Sequence, residues 1–313
     1  MADLYTPDGA TVDPTKWDDS QVTLLSKAFH IAASDNLVVN DVATVRENIN
    51  AKAIDIVKYS KLDPTTTALT ESAEVGSYEV ANDSKVTLQP LEYGQVVTST
   101  SISSLHSGGM TDLAIAEMVG RSMAESWNKL GIQTLEASAN EQFVGAANEG
   151  AIASDDVITG EALLKEYTNL SAANVPKFAG DSYVAIMHPH VIHDLLKATS
   201  AGSWQDVAKY NGDMKVFKNE IGMYNGFRIL QSSGVTINAN AGDSNVDTYH
   251  TCCVGVNGLG IGVSKQPQLT ITGPYDKLGR MVHVGWYGVY DMEIIDTDAV
   301  RKITCASSVG ANS

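Results

Sequence analysis

The spacing of apolar and polar positions changes several times along this chain, and each change marks an element. The apolar run Tyr183-Val184-Ala185-Ile186-Met187 predicts a short strand, stopped by Pro189, which cannot donate to a ladder. A short amphipathic helix follows, with Val191, Ile192, Leu195 and Leu196 on one side. Then come a tryptophan-led segment from Trp204 to Tyr210, the Asn-Glu-Ile-Gly run at 219–222, and a second apolar strand from Phe227 to Leu230. The clearest helix spans 111–139. Thr111 can cap it, and Leu113, Ala116, Gly120, Met123, Trp127, Leu130 and Thr134 recur at alternating spacings of three and four. Such a helix is roughly 40 Å long. Towards the end the period drops to two: Leu269 and Ile271 alternate, a turn falls near Gly273-Pro274, and Arg280 to Ile295 place Val282, Val284 and Trp286 on one face. Between 146 and 264 short strands and helices alternate, so the fold class is α+β, and there is no internal repeat.

Two stretches break these patterns. Residues 1–20 carry five aspartates, one lysine and two prolines, which reads as an arm ordered only where a neighbour ties it down. A short helix from Val22 to Phe29 follows, with Ser20 as cap. In residues 51–100, strand-like pieces at Ala53–Val57, Val86–Leu88 and Val96–Thr98 bracket a Thr-, Ser-, Glu- and Asp-rich stretch from Asp63 to Ser84. That stretch has too little apolar surface for a core of its own, so it predicts a long hairpin standing off the body. A projecting hairpin leaves unpaired edges and needs a neighbour.

Composition narrows the classes. The chain has 313 residues, enough for a substantial core, and 43% hydrophobic with 19% charged residues fits a globular protein. With 21 basic against 37 acidic residues the net charge is −16, which argues against a general nucleic-acid-binding surface. Three cysteines, Cys252, Cys253 and Cys305, do not make a disulfide framework and read as reduced thiols of a protein made in cytoplasm. The N-terminus lacks the basic flank and apolar centre of a signal peptide, and no apolar run reaches bilayer-spanning length, so a soluble, unexported protein is expected.

Candidate chemistry is thin. His188, His190 and His193 form H-x-H-x-x-H, the sharpest metal-like pattern. Against it, Pro189 separates the first two, no glutamate within the motif can act as base, and the cysteines lie far off, so the turn-and-helix reading is preferred. Gly255, Gly258, Gly260 and Gly262 miss both nucleotide-loop spacings and read as bulges or close backbone approaches. Cys253 and His250 are three apart, so in a strand they point to opposite faces, and no oxyanion signal accompanies them. Trp127 and Trp286 read as core. No catalytic residue, metal site or cofactor is expected.

The order of elements over 183–230, with Glu220-Ile221-Gly222 shortly before Gly226-Phe227-Arg228-Ile229, resembles the major capsid proteins of tailed bacteriophages, specifically the family related to the coliphage N-four capsid protein. Tyr93-Gly94 before Val96-Val97-Thr98, and Val284-Gly285-Trp286-Tyr287 before an acidic turn at Asp296 and Asp298, resemble its return strand and C-terminal segment. The resemblance covers roughly residues 50–305 and implies a Hong Kong 97-type capsid fold. Its implied parts are an N-terminal arm and short helix (1–50), an extended hairpin or E-loop (51–100), a P-domain spine helix (101–145), an A-domain (146–264), and P-domain strands with a C-terminal tail (265–313). It implies a structural protein and no enzyme: a major capsid protein forming hexamers and pentamers of an icosahedral head, assembled in the host cytoplasm and residing in the virion. The shell would enclose double-stranded DNA without reading its sequence. Scaffolding, portal and decoration proteins are the further partners implied, and no membrane. The hairpin charges Lys58, Lys61, Asp63, Glu71, Glu74 and Lys85 then become candidates for intersubunit pairing with Arg121, Glu125 or Lys129 of a neighbour's helix. The alternatives are an encapsulin-type protein shell around cargo and, from another class, a His-rich metal-dependent hydrolase.

Overall fold

A computed structural model describes residues 4–5, 11–12, 37–47, 52–58, 84–107, 110–198, 220–273, 277–278 and 280–310, together with 65–66, 68–69, 71 and 74. The expected helix at Val22–Phe29, the Trp204–Tyr210 segment and the centre of the hairpin fall outside the described residues. A small ribbon pairs β1 (Leu4–Tyr5) with β2 (Thr11–Val12).

The first layer is a four-stranded sheet ordered β3-β13-β14-β6, with β3 at Thr44–Arg46, β6 at Leu91–Thr100, β13 at Leu259–Thr272 and β14 at Met281–Ile294. As the alternation predicts, Val282, Val284 and Trp286 are all buried. Gly94 and Gly285 let β6 and β14 close on each other: a Cβ at Gly285 would sit 2.5 Å from the Gln95 carbonyl oxygen. On the inner face of this sheet lies the long helix. The chain first makes α1 (Ser101–His106), capped by the Thr100 hydroxyl, and then α2 (Met110–Glu136), 27 residues long.

The second layer is a seven-stranded sheet ordered β7-β15-β12-β8-β10-β9, with β11 (Ile237–Asn238) also pairing β12. Its strands are β7 (Glu141–Phe143), β8 (Tyr183–Met187), β9 (Glu220–Tyr224), β10 (Phe227–Gln231), β12 (Thr248–Val254) and β15 (Val300–Cys305). Pairs β8/β10 and β7/β15 are parallel; the other neighbours run antiparallel. The sheet is covered on both faces, which is why β8 reads as unbroken apolar residues. Val184 and Ile186 point into the core shared with α2 and the first sheet. Tyr183, Ala185 and Met187 point the other way, into a core closed by α3 (Gly160–Ala172) and α4 (Pro189–Lys197). The two predicted strands at 183 and 227 and the helix between them are thus found, with Val191, Ile192 and Leu195 buried and Leu196 half-buried.

The helix predicted over 111–139 is α2, but its buried face differs from the expected one. Buried residues come in pairs repeating every four: Ile115/Ala116, Val119/Gly120, Met123/Ala124, Trp127/Asn128, Gly131/Ile132, Leu135/Glu136. Leu113 is 45% exposed, and Leu130 and Thr134 are only half-buried. At 3.6 residues per turn a spacing of four drifts by about 40° per repeat, so the stripe winds roughly 200° around the helix along its length. That winding lets one helix serve two layers. Its middle packs Trp127 on Tyr290 of β14, with ring centroids 4.4 Å apart. Its C-terminal end reaches the second sheet, where Glu136 accepts the Thr236 amide at 2.8 Å.

Candidate assembly surface

The predicted hairpin begins as β4 (Ile54–Lys58) against β5 (Ser84–Leu88), in register Ile54↔Leu88 through Lys58↔Ser84. Asp55 locks the two strands: its carboxylate takes Lys85 Nζ at 2.9 Å and the Thr87 hydroxyl at 2.6 Å. Those hydrogen bonds, Thr87 first and Lys85 next, hold the Asp55 carboxyl below its ordinary value. At the base Leu88 is fully buried, and the next peptide N–H, of Gln89, donates to Asp291 of β14 at 2.7 Å. At the far end of the stem Lys58 Nζ lies 2.6 Å from Asp296.

Two of the hairpin cations proposed for intersubunit pairing, Lys58 and Lys85, therefore have partners inside their own subunit. Glu71 and Glu74 are exposed, and Lys61 and Asp63 fall outside the described residues. Arg121, Glu125 and Lys129 form one exposed row on α2, each four residues from the last. Among the described residues no ion pair joins this row to the hairpin within a subunit. Glu125 and Lys129 also border an open polar cleft of about 520 Å³ with Asn128, Gln231 and Ser232.

Large apolar side chains stand in water around the same region. Leu105 is 78% exposed and Ile102 64% on α1, and Met118 and Leu113 follow on α2. β6 is an edge strand of ten residues paired on one side by β14, with Leu91 and Val96 exposed. An edge of this length with apolar side chains is a surface that proteins normally cover.

Local structure gives each histidine of the triplet a separate role, although the His188 and His190 rings lie edge to face with centroids 4.5 Å apart. His188 is the N-cap of α4, its Nδ1 accepting the His190 amide at 3.2 Å, with Pro189 in the first turn as helix starts favour. His190 Nδ1 instead meets the Tyr249 hydroxyl at 3.0 Å, and His193 is exposed beside Asp194. Burial, and then the neighbouring His190, push the His188 ring down to about 4. Among the described residues no three His, Cys, Asp or Glu side chains are grouped to hold a metal ion. Cys252 and Cys253 are fully buried on opposite faces of β12, and burial raises both thiols well above their ordinary value. The glycines at 255, 258 and 260 sit in close contacts: a Cβ at Gly255 would lie 2.3 Å from a Val175 methyl and one at Gly260 2.6 Å from Ile295.

One cluster gave no sequence signal. His250, on the Cys252 face of β12, has Glu136 Oε2 3.8 Å from Nδ1 and Glu149 Oε1 3.8 Å from Nε2. Thr248 and Asn238 donate to the same Glu149 oxygen at 2.6 and 2.7 Å. Despite the opposing cost of burial, both carboxyls are held below their ordinary values: Glu136 by the His250 ring 3.8 Å away and the Thr236 amide, Glu149 by hydrogen bonds from Thr248 and Asn238. The cluster ties the end of α2 to β12 and to the Glu149–Ala151 turn.

Residues 134–255 match the phage capsid protein family. The fold as a whole is shared with solved shells. The capsid of Ralstonia phage GP4 superposes with a TM-score of 0.71 at 13% identity, covering 90% of this chain and 92% of that one. The mature capsid of bacteriophage PhiM1 gives 0.61 at 14% identity, covering 86% and 87%. A virus-like particle from Pyrococcus furiosus gives 0.57 at 13% identity, covering 91% and 99%. No curated protein matches the sequence. The α+β fold is that of phage capsid subunits, and a matching capsid-family segment runs through its centre.

Proposed function

We propose that this chain is a major capsid protein, many copies of which close into an icosahedral phage head as hexamers and pentamers around double-stranded DNA. The observation that carries the reading is the near end-to-end match to the Ralstonia phage GP4 capsid subunit. The surface supports it: an edge strand, β6, paired on one side among the described residues, and exposed Leu105, Ile102 and Met118 all gain by burial on a neighbour. In this reading residues 51–100 are the extended loop, α2 is the spine, and the α3/α4 layer belongs to the A-domain. Its work is structural. It resides in the virion after assembly in the host cytoplasm, with scaffolding, portal and decoration proteins as further partners. The exposed Glu71, Glu74, Arg121, Glu125 and Lys129 remain the candidates for pairing across subunits.

Negative-stain imaging of the purified protein tests this: closed particles of uniform diameter are expected, and a discrete small oligomer would overturn it. The second reading, an encapsulin-type protein compartment, is favoured by the Pyrococcus furiosus particle. Nuclease-protected DNA in particles from infected cells supports the capsid, and a packaged protein cargo supports the compartment.

A further inference from the structure

We propose that Lys58, Asp296 and Asp291 form a two-point clamp that sets the bearing of the β4/β5 stem on the subunit, and through it the curvature of the shell. This rests on the capsid reading above. A rod held at one point pivots; held at two separated points, it keeps its bearing. The base point is a main-chain one: the Gln89 N–H donates to Asp291 Oδ2 at 2.7 Å, while Asp291 Oδ1 accepts the Met292 amide at 2.9 Å and is thereby oriented. At the outer point, Lys58 Nζ lies 2.6 Å from Asp296 Oδ1, which also accepts the Asp298 amide at 3.0 Å in the Thr297–Ala299 turn. Each acceptor is also held by a neighbouring backbone amide of its own segment. Along β5 the two points are about five residues apart, roughly 17 Å.

The stem between them is stiff, since Asp55 braces Lys85 and Thr87 across it and Leu88 is buried at its foot. Lys58 and Asp296 are 38% and 24% exposed, so the outer point is partly screened and is the weaker of the two. A small rotation there would tilt the whole β4/β5 stem about its foot at Leu88.

The test compares Lys58→Met, Lys58→Arg and Asp291→Ala. In the unassembled subunit, amide exchange over 54–58 and 84–88 should rise about threefold for Lys58→Met, with the thermal midpoint unchanged, and return to wild type for Lys58→Arg. Asp291→Ala should act more strongly. Imaged after assembly, Lys58→Met and Asp291→Ala should give a broadened diameter distribution with open fragments, and Lys58→Arg uniform particles. Wild-type diameters from the Met and Ala variants would overturn the proposal, whether or not exchange changes. If wild-type protein forms no closed particle, the capsid reading fails, and the exchange measurement still reports on the clamp.

Discussion

At the turn from β8 into α4, His188 is nearly covered and its ring titrates near 4 rather than at the ordinary 6.5. Unfolding frees it, so between pH 6.5 and 4 the unfolded chain takes up a proton that the folded chain refuses. The resulting stability is fully present above pH 6.5 and falls as the pH drops towards 4. His188→Asn keeps a side-chain acceptor for the helix start and removes the titration. Urea unfolding at pH 7 and at pH 4.5 should show the variant losing about 1–2 kcal/mol less than wild type over that interval. An unchanged loss would assign the acid sensitivity to other groups. Single residues were legible where chemistry is local. Trp127 and Trp286 are core, and the triplet of histidines is a turn and a helix face. Lys58 was not legible, because its partner Asp296 is 238 residues away and nothing near either one marks the pair.

On the scale of elements, α2 shows what periodicity conveys and what it leaves out. Apolar recurrence located the helix to within a few residues at each end, but not the phase of its buried stripe, because the winding depends on which layer each turn meets. Gly131 marks the crossing: a Cβ there would lie 2.5 Å from a Val39 methyl and 3.1 Å from Met292 Sδ. Alanine is the better helix former, yet Gly131→Ala should destabilise the subunit by about 1–3 kcal/mol through overpacking. Thermal unfolding checks it, and a gain in midpoint would mean that the loop bearing Val39 yields freely. The hairpin was legible for a different reason, the scarcity of apolar residues between its two strands. Removing residues 64–83 should leave a folded, soluble subunit that cannot close shells. Normal particles from that deletion would remove the hairpin from the assembly mechanism.

For the whole molecule, charge bears on how DNA would be held in the capsid reading. With 37 acidic and 21 basic residues, the subunit offers little to displace phosphate counterions. Binding to duplex DNA should be weak at physiological salt, with a shallow salt dependence and no difference between random and specific duplexes. Submicromolar affinity with a steep slope would expose a basic patch on the folded surface. In the capsid reading, weak binding would leave retention of the DNA to enclosure by the shell. The layered build has a second consequence, which lies in β12. Because Cys252 faces the core under α2 and Cys253 the core under α3 and α4, two adjacent thiols stand in separate compartments. Single-cysteine versions treated with a maleimide would give two clocks on one strand, each starting only when its own layer opens. If the layers part at different times as the shell forms or ages, the difference would appear as two labelling rates.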